Sequence, residues 1–292
     1  MTDSILRAVV DRLQTLGATA ATVDRVTVGD GVVMVELLEE PADGGAPRRL
    51  AGLAHRPPGP VPSVTDRDVE TLLEWATGAA GPENRDHGAV AVGVAALNAL
   101  SAPFVDWSRG DPMALLESDV ETIATVGLFR PAFRKFDDVA VRVIERDPVD
   151  PASVSAPDGV AVSTFEPEEA EAAMDGASVV FVTGSAFVYG GVERYLEAAP
   201  ASATVVLVGA TASFLPQPAF DAGVDVVAGA AVEDPDRVRA AIRTGACGTD
   251  LHDAGVAKVY AVDGRPTGLG LDATDGPTAE RGDERTENET NR

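Results

Sequence analysis

The fold of this chain is decided by the stretch Val179-Val180-Phe181-Val182-Thr183-Gly184. Two other apolar runs also stop at a glycine: Thr122-Ile123-Ala124-Thr125-Val126-Gly127 and Val205-Val206-Leu207-Val208-Gly209. Continuous runs rich in β-branched residues are typical of strands buried on both faces, and therefore of a parallel sheet with helices on each side. Ligands of such sheets bind beyond the carboxyl ends of the strands, where these glycines lie. The pattern thus predicts the place of a site without naming a reaction.

Strand and helix patterns alternate through the second half of the chain. Glu166-Pro167 and Asp234-Pro235 each open a predicted helix, and these helices stop at Gly176 and Gly245. Proline at an early helical position and glycine after the end are helix boundary signals. The alternation predicts right-handed βαβ units, an α/β fold and a doubly wound sheet. The predicted strands are 122–126, 138–144, 178–183, 204–208, 224–228 and 256–262.

The first half has a different, α+β pattern. An amphipathic helix is predicted at 3–16, and two strands at 23–28 and 32–38 are joined by Gly29-Asp30-Gly31, a strong hairpin signal. We also predict a short third strand near 50–54 and two helices at 66–77 and 87–100. We therefore expect a three-stranded meander backed by helices.

Composition changes mark three regions of the chain. Proline, tryptophan, glycine and aspartate gather at 101–111, which predicts a junction between a domain at 1–110 and a second one at 111–262. Residues 263–292 are almost free of apolar side chains, so we expect a disordered acidic tail there.

The charge balance is strongly acidic, with a formal net charge of −24 and a pI of about 4.3. The acids are spread along the chain, which favours adaptation of the whole surface to a salt-rich, halophilic cytoplasm. Nucleic-acid binding requires a basic surface and is not expected. The chain has a single cysteine, an amino terminus without signal-peptide character and no long apolar stretch. These features predict a soluble, cytoplasmic protein that does not associate with membranes.

Six segments, in order along nearly the whole folded chain, carry a resemblance to a known family. They are Gly-Val-Ala-Ala-Leu-Asn-Ala-Leu at 93–100, Val-Gly-Leu-Phe-Arg-Pro at 126–131, Val-Ile-Glu at 143–145, Val-Thr-Gly-Ser at 182–185, Val-Gly-Ala-Thr at 208–211 and Gly-Val-Asp-Val-Val-Ala-Gly at 223–229. The second half resembles the DUF364 family, the heavy-metal chelation domain. The first half looks like the DUF4213 domain that precedes it. The resemblance implies an enolase-N-terminal-like α+β domain, a Rossmann-like domain and a role in binding a metal or a metal-chelating small molecule.

The chain departs from the family pattern at two places, both at the predicted site. Phe187, Val188 and Tyr189 follow the Thr-Gly turn, where an asparagine is expected, and Ala210 stands where a proline is expected. These departures indicate that the ligand differs from that of relatives.

The strand ends supply the candidate ligand-binding residues. After the first strand, backbone amides and Arg130 suit an anion, although the segment is equally a plain strand-to-helix turn. After the next strands, hydroxyl groups suit a ligand or a hard cation, or else an ST-turn that caps a helix. The predicted ligand-binding residues are Gly127, Phe129, Arg130, Glu145, Thr183, Gly184, Ser185, Gly209, Ala210 and Thr211.

Glu145 and Asn98 have two interpretations each. Glu145 ends a strand, where an acid can bind a ribose hydroxyl or a metal, or can simply pair with Arg142 or Arg146. Asn98 can donate at the domain interface, while a buried asparagine that satisfies backbone groups is favoured.

Metal and nucleophile motifs are weak. The only transition-metal donors apart from carboxylates are His55, His87, His252 and Cys247, and the Cys-x4-His spacing of the last two does not match a zinc site. Neither a Gly-x-Ser-x-Gly elbow nor a glycine-rich phosphate loop is present.

Three functions remain open from the sequence. The favoured one is binding of a metal ion, a metal complex or a small anionic ligand in the crevice at the strand ends, near the domain interface. The others are an enzyme with a nucleotide-like cofactor in that crevice and a non-catalytic interaction module. Catalysis, the catalytic residues, the cofactor (a metal ion among the candidates) and self-association as a homo-oligomer stay undecided.

Overall fold

A computed structural model describes residues 3–40, 45–78 and 86–271 of the chain. The first part begins with α1 (Asp3–Thr15), which ends before Gly17 with its φ of 71°. Three strands follow, β1 (Thr22–Val28), β2 (Val32–Glu39) and β3 (Arg48–His55), and form an antiparallel sheet in the order β1-β2-β3. The predicted hairpin and meander are confirmed.

Two helices pack on this small sheet, α2 (Val69–Ala76) and α3 (His87–Ser101). The predicted start of α2 at residue 66 is wrong, because Asp66 has a φ of 59° and Asp68 caps the helix with its carboxylate on the Thr71 N–H, 2.8 Å away. Among the described residues, His87–Phe104 is the one helical stretch with the length and composition to cross a membrane. Because 78% of it is buried inside the protein, we interpret it as a core helix.

The second part is built on an eight-stranded sheet in the order β4-β11-β10-β9-β8-β5-β6-β7. Neighbours from β7 through β10 are parallel, and β11 and β4 add antiparallel strands at one end. The predicted Rossmann-like, mostly parallel sheet is confirmed. Its strands are β4 (Ser108–Arg109), β5 (Thr122–Val126), β6 (Ala140–Ile144), β7 (Ala161–Phe165), β8 (Val179–Thr183), β9 (Thr204–Val208), β10 (Val226–Val232) and β11 (Val256–Val262).

Helices connect the parallel strands, and the two predicted by proline and glycine are present. Glu166 opens a short 3-10 turn with a reciprocal capping box to Glu169, and α5 then runs to Met174 just before Gly176. Asp234 caps α9, which ends shortly before Gly245. The helices of this part are α4 (Arg130–Phe133), α5 (Ala170–Met174), α6 (Ser185–Tyr189), α7 (Val192–Ala198), α8 (Gln217–Phe220) and α9 (Pro235–Arg243).

Two strands and part of the carboxyl-terminal segment differ from the prediction. The strands β4 and β7 lie at the two edges of the sheet and lack the buried apolar runs by which the others were found. Residues 263–271 were assigned to the tail, yet Leu269 is 2% exposed and bridges to Leu116. Residues 272–292 lie outside the described residues, as do 41–44 of the predicted loop before β3.

The strand order creates a reversal between β5 and β8. From β5 the chain proceeds through β6 to β7 on one side, and then returns to build β8, β9 and β10 on the other. In open α/β sheets such a switch point leaves a crevice at the carboxyl ends of the strands. The hydrophobic core on one face of the large sheet continues into α1, α3 and the small sheet, so the first part of the chain packs beside this crevice.

Candidate functional site

The three glycine-terminated strands bring their ends to one edge of the sheet. Val126 pairs with Val182, and Thr183 with Val208, so the tips of β5, β8 and β9 lie side by side. Gly127 and Gly209 have φ values of 98° and 118°, which let the chain turn sharply where a residue with a Cβ would be strained. The tips thus lie together along the edge of the sheet at which the sequence predicts a ligand site.

A cleft with two lobes opens at this edge. One lobe has a volume of about 380 Å³ and the other of about 690 Å³. The residues that line both lobes, and so form the wall between them, are His55, Phe129, Thr183, Ser185 and Gly248. The cleft is therefore lined by residues of β3 in the small sheet as well as by the strand ends of the large one.

The smaller lobe lies towards β9, β10 and β11. Its polar groups include Thr211, which follows β9, and the charged residues Asp111, Lys135 and Lys258. Its apolar surface includes Leu53, Met113 and Phe129, together with the valines Val32, Val208, Val256 and Val259.

The larger lobe lies towards β5 and β6. It is lined by Glu145, Arg146, Asp147, Tyr189 and Tyr195, together with the backbone of the turn after β5. The guanidinium carbon of Arg146 is 3.4 Å from the centroid of the Tyr189 ring. This contact is a cation–π interaction on the wall of the lobe.

Thr183 and Ser185 form a local hydroxyl pair at the end of β8. Their Oγ atoms are 3.1 Å apart, and the Ser185 N–H donates to Thr183 Oγ1 over 3.4 Å. This bond is that of an ST-turn, as one interpretation predicts, although the N-cap of α6 is Gly184 and no side chain makes a cap hydrogen bond there. Both side chains also line the two lobes, so the turn presents its hydroxyl groups to the cleft.

His55 connects the small sheet to the strand ends of the large one. Its backbone N–H donates to Thr211 Oγ1 over 2.9 Å, and its Nε2 atom lies 2.9 Å from the Tyr189 hydroxyl oxygen. Burial, followed by the charge of Arg146, lowers the pKa of His55 below its ordinary value. The neutral imidazole is thus favoured at the wall between the lobes.

Glu145 is half-buried beside the larger lobe. Burial raises the pKa of its carboxyl group, although a hydrogen bond from the Leu128 backbone and the charge of Arg146 act in the opposite direction. The alternative of a pairing with Arg142 is wrong, because that side chain donates to the carbonyl oxygens of Ala173 and Asp175.

The structure gathers eight of the ten predicted ligand-binding residues around the cleft. Gly184 and Arg130 line neither lobe. Gly184 is packed so closely that a Cβ atom would lie 2.8 Å from the Ala212 nitrogen, and Arg130 is exposed and donates to the Ser153 carbonyl oxygen over 3.2 Å. The eight are Gly127, Phe129, Glu145, Thr183, Ser185, Gly209, Ala210 and Thr211.

Asn98 takes the role that the sequence favoured. It is 2% exposed, and its Nδ2 atom lies 2.8 Å from the Leu53 carbonyl oxygen and 3.1 Å from those of Ala210 and Thr211. One amide group thus joins α3 and β3 to the turn after β9.

Comparison with known proteins places this chain in a family. The family model of DUF364, described as "Putative heavy-metal chelation", matches residues 111–261. The chain belongs to the DUF364 family. The match covers the strands β5 to β10 and nearly all of β11, but not the edge strand β4. The resemblance of the first half to DUF4213 stays a prediction.

Two solved structures show the same fold as this DUF364 protein. A DUF364 protein of unknown function from Pyrococcus horikoshii is 21% identical, with a TM-score of 0.68 over 90% of this chain and 100% of that one. A DUF364 protein of unknown function from Desulfitobacterium hafniense DCB-2 is 16% identical, with a TM-score of 0.62 over 86% of this chain and 98% of that one. No curated protein matches the sequence.

The donor atoms in the described part of this DUF364 protein do not fit a metal cage. Within residues 3–40, 45–78 and 86–271, no three His, Cys, Asp or Glu side chains come together in a way that could hold a metal ion. His252 Nδ1 is engaged with the Val256 carbonyl oxygen at 2.8 Å, and Cys247 is exposed. A structural or catalytic zinc site needs three or four such ligands.

Several cleft residues of the DUF364 protein were not among the predicted site residues. In the sequence, His55 is only one of three histidines, and Tyr189 is only part of a departure from the family pattern. Lys135 and Lys258 carried an overlooked signal, since they are the only lysines in a strongly acidic chain. Asp111 lay in the presumed junction and gave no signal of its own.

Proposed function

We propose that this protein binds a small ligand, either an anionic molecule or a metal complex, in the two-lobed cleft. The observation that carries the proposal is the position of the cleft at the switch point between β5 and β8, with His55 of the small sheet completing its wall. Crevices at switch points are the usual ligand sites of doubly wound sheets.

The donor set favours a ligand with its own metal-binding groups over a bare ion. Around the shared wall an ion would meet the imidazole of His55 and the hydroxyls of Thr183 and Ser185, which is a poor set for a heavy metal. A metal complex needs only shape, hydrogen bonds and charge from the protein. This interpretation agrees with the family description and with the lack of a three-donor group in the described part of the chain.

Positive charge in the smaller lobe supports an anionic ligand. Lys135 and Lys258 line that lobe with one acid, Asp111, in a chain whose formal net charge is −24, whereas Arg146 of the larger lobe lies beside Glu145 and Asp147. Against that background, cationic groups in a concave site attract negatively charged ligands selectively.

The experiment is native mass spectrometry of the full chain, purified without denaturation, with elemental analysis for metals. Ser185→Phe places a bulky ring in the wall between the lobes, and Ser185→Ala is the matched control that keeps the cleft open. We expect a bound small molecule on the wild type and on Ser185→Ala, and its loss from Ser185→Phe. Retention by Ser185→Phe, or no ligand on the wild type and no thermal shift with any metal chelate or small anion, would refute the proposal.

A second candidate function is acid–base catalysis in the larger lobe. Glu145 with its raised pKa and His55 with its lowered pKa line that lobe together. Groups shifted in this way are typical of catalytic acids and bases. If a co-purified ligand is turned over, its rate should depend on both groups, and Glu145→Gln should abolish one limb of the pH profile.

The cellular setting stays a prediction from composition. We propose a cytoplasmic protein of a salt-rich cell that does not bind nucleic acid or membranes, on the strength of its acidic charge. Unfolding midpoints that rise steeply with molar potassium chloride would support this setting, and indifference to salt would contradict it.

A further inference from the structure

The two lysines of this chain meet at one carboxylate. Lys258 Nζ donates to Asp111 Oδ2 over 2.6 Å, and Lys135 Nζ donates to the same oxygen. The three residues come from separate segments: Asp111 precedes a 3-10 turn at Pro112–Ala114, Lys135 follows α4, and Lys258 lies within β11. The other 21 of the 23 basic residues are arginines.

The single carboxylate of Asp111 cannot neutralise both ammonium groups. Burial favours the neutral acid, yet hydrogen bonds from Lys135 and Lys258 lower the pKa of Asp111 below its ordinary value. The carboxylate therefore carries one negative charge against two positive ones. Its other oxygen, Oδ1, accepts from the Met113 N–H over 3.2 Å, so the acid is fixed in place. The cluster keeps one net positive charge.

That excess charge lies on the wall of a cavity. Lys135, Lys258 and Asp111 all line the 380 Å³ lobe, and the lysine side chains are 34% and 40% exposed. Each ammonium has three N–H donors, of which Asp111 takes one. Met113 and Phe129 of the same lobe supply apolar surface. The lobe thus combines donors for an anion with a surface for an apolar group.

We propose that Lys135 and Lys258 form a subsite for one anionic group, a carboxylate or a phosphate, of a ligand whose apolar part lies against Met113 and Phe129. Asp111 holds the two ammonium groups side by side for this purpose. The inference rests on the proposed function, because it assigns one end of the ligand to the smaller lobe of the same cleft.

The first test is calorimetric titration of the full chain with phenyl phosphate, phenylacetate and benzyl alcohol, which share a ring and differ in charge. We expect the anions to bind at least about tenfold more tightly than the alcohol. Whichever anion binds more tightly identifies the group. Lys135→Gln and Lys258→Gln should each weaken anion binding about tenfold, whereas Arg7→Gln, which removes an exposed charge on α1, should not.

Asp111→Asn separates an anion site from a plain ion-pair cluster. In asparagine the amide oxygen can still accept from the two ammonium groups and hold them side by side, while the negative charge that competes with a bound anion is removed. The subsite therefore requires Asp111→Asn to bind the anions as tightly as the wild type or more tightly. A loss of anion binding in a folded Asp111→Asn protein would overturn it.

A second measurement uses the wild type alone. Because the chain contains two lysines, acetylation by an N-hydroxysuccinimide ester reports on these two ε-amino groups in a peptide digest. The bound anion should slow acetylation of both, and benzyl alcohol should not. Calorimetric binding with unchanged acetylation rates would overturn the subsite.

The failures of the two proposals can be told apart. If Ser185→Phe abolishes binding of the anions while both lysine variants bind normally, the subsite is wrong and the cleft function stands. If the wild type binds none of the probes, the subsite is wrong whatever ligand co-purifies. If, in addition, no ligand co-purifies, the cleft function fails as well.

Discussion

The Nε2 atom of His55 lies 2.9 Å from the hydroxyl oxygen of Tyr189, although the two residues are 134 positions apart in the sequence. His55 is the last residue of β3 in the small sheet, and Tyr189 is the last residue of α6 after β8 of the large sheet. Their hydrogen bond joins the two parts of the chain at the wall of the cleft. A change at either residue should therefore affect both the interface and the site.

We predict that Arg146→Gln raises the pKa of His55 towards its ordinary value. The guanidinium charge is one of the two causes that lower this pKa, burial being the larger. The measurement is an NMR pH titration of the three histidine side chains. Arg7→Gln is the control, and an unchanged His55 titration in Arg146→Gln would show that burial alone sets the pKa.

The same shift has a consequence for stability. Because the folded-state pKa of His55 lies below the value of 6.5 for the unfolded chain, the unfolded state binds more protons between the two values. The His55 contribution is therefore complete above pH 6.5 and is lost as the pH falls through the folded pKa. Urea unfolding at several pH values should show a smaller loss in Arg146→Gln than in the wild type.

We predict that Asn98→Asp destabilises the protein more than Asn98→Ala does. The alanine variant leaves the carbonyl oxygens of Leu53, Ala210 and Thr211 without this donor, which should cost about 1–3 kcal/mol. The aspartate variant also points a buried negative charge at those oxygens and should cost about 3 kcal/mol or more. Denaturant unfolding at pH 8 measures both. Equal stability of the two variants would mean that the amide does not donate here.

We predict that Gly52→Ala is strongly destabilising and that Gly31→Ala is tolerated. A Cβ atom on Gly52 would lie 2.2 Å from the Ala95 carbonyl oxygen and 2.4 Å from the Ala99 nitrogen, so β3 and α3 would have to separate. A Cβ atom on Gly31 would meet its nearest atom, Cys247 Cβ, at 3.5 Å, an ordinary contact. We expect a loss of about 3 kcal/mol for the first and less than about 1 kcal/mol for the second.

We predict that replacing only Arg239 of the buried Glu36–Arg239 pair destabilises the protein more than replacing both residues does. The Glu36 side chain is fully buried on β2, and its Oε1 atom accepts from Arg239 Nη1 of α9 over 2.6 Å. Arg239→Met leaves the carboxylate without its close partner and should cost about 3–5 kcal/mol. Adding Glu36→Leu should recover most of that loss.

A double-mutant cycle at constant salt measures this coupling. Arg49 is a second cation near this carboxylate, with its Nη1 atom 3.8 Å from Glu36 Oε1, so Arg49→Gln is the control with a weaker expected effect. If the double variant were as unstable as Arg239→Met alone, burial of the carboxylate would not be the cause of the loss.

The buried strands were the most accurately predicted elements. The bounds of β5, β9 and β11 match the predicted ones, because their apolar runs leave little choice of conformation. β4 and β7 were missed, since an edge strand buries less surface and needs no continuous apolar run. Leu269 was assigned to the tail because its neighbours are polar, although it packs into the core.

The strand ends of the candidate site and one of its charged residues, Glu145, were predicted, whereas Asp111, Lys135, Arg146, Asp147 and Lys258 were not. Thr183 ends β8, Ser185 and Gly209 come after β8 and β9, and adjacent parallel strands end at one edge of the sheet. Arg130 also follows a strand, yet its side chain lies outside the cleft beside Ser153. Strand geometry determines the position of a residue's backbone, whereas the packing around the residue determines the direction of a long side chain.

The sequence by itself determined the parallel strands, the hairpin of the small sheet and the edge at which a ligand site should lie, because periodicity and turn chemistry act over a few residues. Only the tertiary structure decided which charges meet there. Lys258 and Asp111 are 147 positions apart, and the pairing of β11 with β4 brings the Lys258 ammonium group close to the Asp111 carboxylate. A contact of that kind leaves no local pattern, since each residue by itself would be stable as an ordinary solvated side chain.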